Sequence, residues 1–97
     1  MKFVNLITAT DGKHKYTVTL KDSKDKLYRV HFGAKGYQDF TLTNNEDHKK
    51  SYIARHSVTE NWTASGILTA GFWSRWLLWN KKTIKTSLQD IKKRFNI

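Results

Sequence analysis

The sequence lacks the residues that cross-link or interrupt a small fold, since it contains no cysteine and no proline. Without cysteine, the chain forms no disulfide and offers no thiolate to zinc, which is typical of a reducing compartment such as the cytosol or nucleus. Without proline, no position is barred from continuing a helix or a strand. We therefore expect the apolar core alone to hold the fold, helped by an aromatic content of 13%.

Acidic residues are scarce relative to basic ones. The 18 lysines and arginines outnumber 8 acids, which gives a formal net charge of +10. The imbalance is greatest in residues 81–97, where Asp90 is the only acid among several basic residues. A field of this sign attracts polyanions, namely nucleic acid, anionic lipid or an acidic protein face.

Long apolar runs are also missing. The longest, Ala70–Trp79, contains Arg75 and is half of the about 20 residues that a membrane span needs. Residues 1–10 contain one early lysine and a short apolar run, and Asp11 follows before any pattern that resembles a signal-peptide cleavage site. We therefore expect neither secretion nor use of the glycosylation sequon at Asn61.

The first third of the chain has the alternation of β-strands. Apolar and polar residues alternate in Lys15–Leu20 and Leu27–Phe32, and Phe3–Thr8 is a less regular third segment. The polar stretch Lys21–Lys26 and the turn pair Asp11-Gly12 separate the three. The pattern predicts a three-stranded antiparallel meander with one face covered.

The later sequence has helical spacing. Gly33–Gly36 is expected to break the sheet, and Thr43–Glu46 has the spacing of a capping box before a helix at Asn44–His56. Further helices are predicted at Phe72–Trp79 and Lys81–Phe95. The last has the clearest apolar line, formed by Ile84, Leu88, Ile91 and Phe95.

These elements predict an α+β fold, with the N-terminal meander covered by two to three C-terminal helices. The length fits a single domain over 1–97, with strands in about 2–32 and a helical part in about 43–95. Within residues 60–69, Gly66 indicates a loop or a broken turn.

Catalytic and metal-binding patterns are not found. The four histidines, His14, His31, His48 and His56, do not have the spacing of a helical metal pair. The acids Asp39, Glu46, Asp47 and Glu60 have no nucleophile motif beside them. We therefore expect no enzyme, no cofactor, no metal and no small-molecule substrate.

Two local features have a structural and a functional interpretation. Gly33–Gly36 matches the G-x-x-G loop of KH domains, but a glycine-bounded turn is favoured, with Lys35 at its tip able to touch a phosphate. Among the tryptophans, Trp73, Trp76 and Trp79 are expected mainly in the core. Trp62 lies in a polar stretch and is the better candidate for an exposed contact.

The basic residues are the main functional candidates. If the apolar line of the last helix is buried, its lysines must form an outer cationic ridge, and the middle helix adds a second patch. The predicted contact residues for a polyanion or a partner are Lys35, Lys49, Lys50, Arg55, Trp62, Lys81, Lys82, Lys85, Lys92, Lys93 and Arg94.

Three segments carry a resemblance to a known group of proteins: Gly71–Lys81 (GFWSRWLLWNK), Phe32–Phe40 (FGAKGYQDF) and Tyr52–His56 (YIARH). With these segments, the sequence resembles a family of small uncharacterised proteins encoded by nucleocytoplasmic large DNA viruses, from about Lys15 to Phe95. Relatives usually have proline where this chain has Lys82. The resemblance implies a virion, host cytoplasm or virus-factory setting, and it supplies no catalytic residues.

Two functions follow as hypotheses. The first is a virion structural or assembly protein, such as a minor capsid or core component, that binds viral capsid or core proteins or the genome. The alternative is a sequence-nonspecific DNA-binding protein that condenses or organises viral DNA, because lysine outnumbers the base-reading arginine. Peripheral membrane binding is less favoured, because the narrow apolar line of the last helix suits a protein core better.

Overall fold

A computed structural model describes residues 1–97 and shows the α+β fold that the sequence predicts. Three strands come first and four helices follow. The strands are β1 (Lys2–Thr8), β2 (His14–Lys21) and β3 (Leu27–Ala34). The helices are α1 (Phe40–Thr43), α2 (Glu46–His56), α3 (Ala70–Trp73), which continues into a π-helical turn at Ser74–Leu78, and α4 (Ile84–Phe95).

The sheet is the predicted antiparallel meander, in the order β1-β2-β3. Tyr16 pairs with Phe32 and Val18 with Val30, so the apolar residues of the two strands share one face. Val18 and Phe32 have no exposed surface. The helical part packs on this face, and the resulting core consists of Val18, Leu20, Val30, Phe32, Phe40, Tyr52, Ile67, Phe72, Trp73, Leu77, Leu78, Trp79 and Ile91.

Gly33 does not break the sheet as predicted, because β3 runs on to Ala34 and the turn comes at Lys35-Gly36. Gly33 has a φ of 77°, a conformation that costs little only for glycine. A Cβ at this position would lie 2.8 Å from Cδ1 of Leu78. Gly33 thus lets the strand continue while the helical layer approaches its backbone closely.

The predicted capping box at Thr43–Glu46 is wrong. The cap of α2 is Asn45, whose side chain accepts a hydrogen bond from the His48 amide at 3.1 Å. The Thr43 hydroxyl instead accepts from the Asn45 amide, and Asn44, with a φ of 51°, caps the end of α1. A separate short helix therefore precedes α2, and α2 begins two residues later than predicted.

The last helix begins at Ile84 rather than near Lys81, because Thr83 caps it by accepting from the Thr86 amide. Its predicted apolar line faces the core: Ile91 is fully buried, and Ile84, Leu88 and Phe95 pack against the core cluster. Residues 60–69 contain only a short 3-10 turn, Ala64–Gly66. None of the helices is long and apolar enough to cross a membrane.

Candidate functional site

The basic residues of the C-terminal segment lie on the surface as predicted. Lys81 and Lys82 are in the loop before α4, and the others are exposed on the helix itself. They lie outside the apolar line that α4 presents to the core. We call this set the α4 basic surface: Lys81, Lys82, Lys85, Lys92, Lys93 and Arg94.

Carboxylates of the same molecule neutralise almost none of this surface. The fold has four salt bridges within 4.0 Å, namely His14–Asp11, Lys15–Asp39, Lys21–Asp25 and Arg94–Asp90. Arg94 is thus the only member of the α4 basic surface with a carboxylate partner. Because its lysines are exposed and without such partners, their charges face the solvent and any external anion, although the Lys92 ammonium also lies 4.4 Å from the ring centroid of Phe3.

The patch predicted on α2 adjoins this surface but differs in its members. The Lys49 ammonium donates to the carbonyl of Asn80 at 2.7 Å and lies 4.7 Å from the ring centroid of Phe40. Burial lowers the pKa of Lys49, and the nearby charges of Arg75 and Lys81 lower it further, against the opposing effect of Glu46. Lys49 therefore holds the loop before α4 against α2, a structural role that the sequence did not predict.

The other predicted basic residues are exposed. Lys50 and Arg55 lie on the surface of α2, and Arg55 makes only a long hydrogen bond, 3.4 Å, to the carbonyl of Ser51 in its own helix. Lys35 lies at the turn after β3, where its amide donates to the carbonyl of Lys13 at 3.0 Å. Lys35 is therefore joined to the turn between β1 and β2 rather than to α4.

Trp62 is not the exposed platform that the sequence predicts. It is half-buried and packs against the core, with its ring 6.3 Å from that of Tyr52. Its carbonyl accepts a hydrogen bond from the Trp76 indole at 2.9 Å, and its own indole nitrogen is buried without a partner. The polar neighbours of Trp62 concealed this packing, because the contacts come from residues distant in sequence.

A cluster of arginines and tryptophans, which no sequence pattern predicts, joins the π-helical turn to α4. The guanidinium of Arg75 lies 4.4 Å from the ring centroid of Trp76 and 5.5 Å from that of Trp62. Arg94 lies 4.4 Å from Trp76 as well. Burial lowers the pKa of Arg75, and the charge of Arg94 adds to this effect. The spacing of Arg75 and Trp76 in a helical segment gave no sign of a contact with Arg94.

A cleft of about 730 Å³ lies between the end of β3, helix α2 and the segment from α3 to Trp79. On the α2 side it is lined by His48, Tyr52, Arg55 and His56. The Tyr52 ring stacks on His56 with centroids 4.3 Å apart. His48, Tyr52 and His56 lie one helical turn apart along α2, and this side of the helix faces the cleft. The opposite wall could not be identified from the sequence.

No group of three or more histidine, cysteine or acidic side chains is arranged to hold a metal ion. His14 and His31 stack with ring centroids 5.9 Å apart, but His14 contacts Asp11 and His31 contacts the Thr17 hydroxyl. Both imidazoles are therefore engaged within the sheet and its first turn.

No curated protein and no solved structure matches this sequence. A family model does match residues 4–56, which include most of β1 and all of β2, β3, α1 and α2. The matched segment contains the α2 wall of the cleft, whereas the α4 basic surface lies beyond it. Because this match covers more than half of the chain, the protein belongs to DUF5754, a family of unknown function.

Proposed function

We propose that this protein is a non-enzymatic structural or assembly component of a virus particle, and that its α4 basic surface binds the acidic face of a neighbouring protein. One observation carries the proposal: the five lysines of that surface are exposed, and none has a carboxylate partner within the molecule. The viral setting rests on the resemblance of Gly71–Lys81 and its companion segments to small proteins of large DNA viruses.

The fold supports a rigid basic surface. Ile91 is fully buried, and Thr83 caps the start of α4, so the helix is fixed at its centre and its beginning. Lysines that already lie in water lose little hydration when they meet a charged partner at the rim of an interface. Such a surface mainly steers association and selects an acidic partner, so the affinity should fall with added salt.

Quantitative mass spectrometry of purified particles tests the structural role. We expect the protein in particles at a fixed copy number relative to the major capsid protein, and retained after nuclease treatment. Absence from particles, or variable trace amounts, would rule out a structural component.

Sequence-nonspecific DNA binding is the second candidate, and the state of the arginines favours it over specific reading. Arg75 is half-buried and donates to the Trp79 carbonyl, and Arg94 pairs with Asp90. The exposed charge of the α4 basic surface is therefore mostly lysine, which binds phosphate without reading bases.

Fluorescence anisotropy with labelled duplex DNA at two salt concentrations tests this candidate. If the five lysines of the α4 basic surface each meet a phosphate, the log–log slope against salt should be about −4.5. Two duplexes of unrelated sequence should bind equally. No binding at low salt would exclude DNA as the partner and leave the acidic protein face.

A further inference from the structure

The cleft between α2 and α3 has the size and the mixed lining of a small-ligand site. Its volume of about 730 Å³ falls within the about 300–1,000 Å³ typical of ligand pockets. Aromatic and aliphatic groups supply part of the lining, including Trp79 and Leu78. Trp79 stacks on Tyr52 with ring planes 4° apart, which gives the cleft a fixed aromatic wall.

Tyr52 carries a polar group that the fold leaves without a partner. Only 8% of the residue is exposed, yet it lines the cleft and its hydroxyl makes no hydrogen bond within the protein. The only buried side-chain polar atom without a partner is the Trp62 indole nitrogen, so the Tyr52 hydroxyl is open to the solvent in the cleft. This group is therefore available to a molecule that enters the cleft.

Two charged side chains of opposite sign line the same cleft without pairing. Glu60 packs its carboxylate against Gly71 and forms no salt bridge, and Arg55 is held only by its long bond to Ser51. Burial raises the pKa of Tyr52 to about 12, with a further rise from Glu60 and opposing effects from Arg75 and Arg55. Both Glu60 and Arg55 thus act electrostatically on the same hydroxyl.

The other charged pair that lines the cleft, Lys15 and Asp39, is already hydrogen-bonded within the protein. Lys15 donates to the Asp39 carboxylate at 2.5 Å, and the Asp39 carboxylate also accepts from the amide of Thr41 at 2.9 Å. Lys15 and Asp39 therefore stabilise the start of α1, where Asp39 is the N-cap. The Tyr52 hydroxyl, the Glu60 carboxylate and the Arg55 guanidinium remain open to a ligand, as do the polar side chains of Gln38, His48, His56 and Ser74.

We propose that this cleft binds a nucleoside monophosphate whose base carries N–H donors. The Glu60 carboxylate and the Tyr52 hydroxyl accept hydrogen bonds from the edge of the base, and Arg55 binds the phosphate. The aromatic residues Tyr52, His56 and Trp79 line the site, and both charged groups find in this ligand the partner that the fold does not provide. This site is separate from the α4 basic surface and goes beyond the proposed function.

Titration of the full-length protein with GMP, followed by tryptophan fluorescence, tests the proposal. We expect saturable binding below about 1 mM, with guanosine and inorganic phosphate each binding more weakly because each meets only part of the site. Tyr52→Phe keeps the aromatic ring and removes the hydroxyl, so it should weaken GMP binding by about tenfold. Glu60→Gln and Arg55→Gln should each weaken it at least as much.

Lys85→Gln, which removes a charge from the α4 basic surface, is the matched control and should leave GMP affinity unchanged. The proposal is overturned if GMP does not bind below about 1 mM, or if Lys85→Gln weakens binding as much as Arg55→Gln does. It is also overturned if folded Tyr52→Phe, Glu60→Gln and Arg55→Gln all bind like the unmodified protein. Because these variants leave the lysines of α4 intact, failure here would not affect the partner proposed for that surface.

Discussion

Tyr52 of α2 and Trp79, in the loop before α4, stack with ring centroids 4.4 Å apart and planes 4° apart. Twenty-six residues separate them in sequence, and both are more than nine-tenths buried. The stack fixes the loop that carries Lys81 and Lys82 against α2, together with the Lys49–Asn80 hydrogen bond. The position of the α4 basic surface therefore depends on this aromatic contact.

Removing the Trp79 ring should destabilise the fold strongly. Trp79→Ala leaves a cavity beside Tyr52, and we expect the free energy of unfolding to fall by about 3–5 kcal/mol. Urea denaturation followed by circular dichroism measures the change. Leu42→Ala is the control, because Leu42 is 65% exposed and its loss should cost less than about 0.5 kcal/mol. A loss of under 1 kcal/mol for Trp79→Ala would contradict the packing described for this loop.

The close approach at Gly33 predicts a second stability effect. An alanine there would adopt a φ of 77° and place its Cβ 2.8 Å from Leu78. The backbone conformation should cost about 1–2 kcal/mol and the overpacking about 1–3 kcal/mol more. Gly36→Ala is the matched control, since its φ is 88° but nothing lies within 4 Å. Equal effects of the two substitutions on the melting temperature would show that the contact with Leu78 does not matter.

The cap of α2 can be located by two substitutions. Asn45→Ala removes the acceptor of the His48 amide, and we expect a loss of about 1 kcal/mol in the free energy of unfolding. Thr43→Ala should cost less, because Thr43 lies outside α2. A larger loss in the free energy of unfolding for Thr43→Ala than for Asn45→Ala would show that Thr43 caps α2, as the predicted capping box requires.

Asp90 should make stability depend on acidic pH. Burial alone would raise the pKa of its carboxyl, but hydrogen bonds from Asn80 and Arg94, with the charges of Arg94 and Lys81, hold it below the ordinary value. Because the folded state has the lower pKa, the stabilisation is present above about pH 4 and is lost as the pH falls through the lowered value. At pH 7, Asp90→Asn should cost about 1 kcal/mol.

Urea denaturation at pH 7 and at pH 3 checks this assignment. The difference between the unmodified protein and Asp90→Asn should shrink at the lower pH, where the native carboxylate is being protonated. The control is Asp25→Asn, because the Asp25 side chain is 84% exposed and its salt bridge with Lys21 is 3.4 Å long. A difference for Asp90→Asn that is constant with pH would exclude the ionic contribution.

The sequence predicted the elements of this fold better than their junctions. Strict alternation predicted β2 and β3, and the line from Ile84 to Phe95 predicted α4, because both patterns arise from burial on one face. The end of β3 and the start of α2 were misplaced. At Gly33 a tertiary contact with Leu78 decides the conformation, and at Asn45 two competing caps lie within three residues.

The sequence likewise predicted some features of the candidate site and not others. The exposed lysines of α4 followed from the helical period, since a residue opposite a buried line must face the solvent. The half-buried state of Trp62 and the role of Lys49 did not, because each depends on partners from another part of the chain. The cleft needed the relative placement of α2 and α3, which no local pattern contains.

Zero-length carbodiimide cross-linking of purified particles tests the central claim most directly, because it joins lysine amines to carboxylates in contact. We predict cross-links from Lys82, Lys85 and Lys93 to acidic residues of one neighbouring protein. Replacing these three lysines by glutamine should abolish them, whereas the same replacement at Lys13, Lys24 and Lys26, in turns of the sheet, should not. Cross-links that arise only from the lysines of the sheet turns, or none at all from α4, would contradict the account.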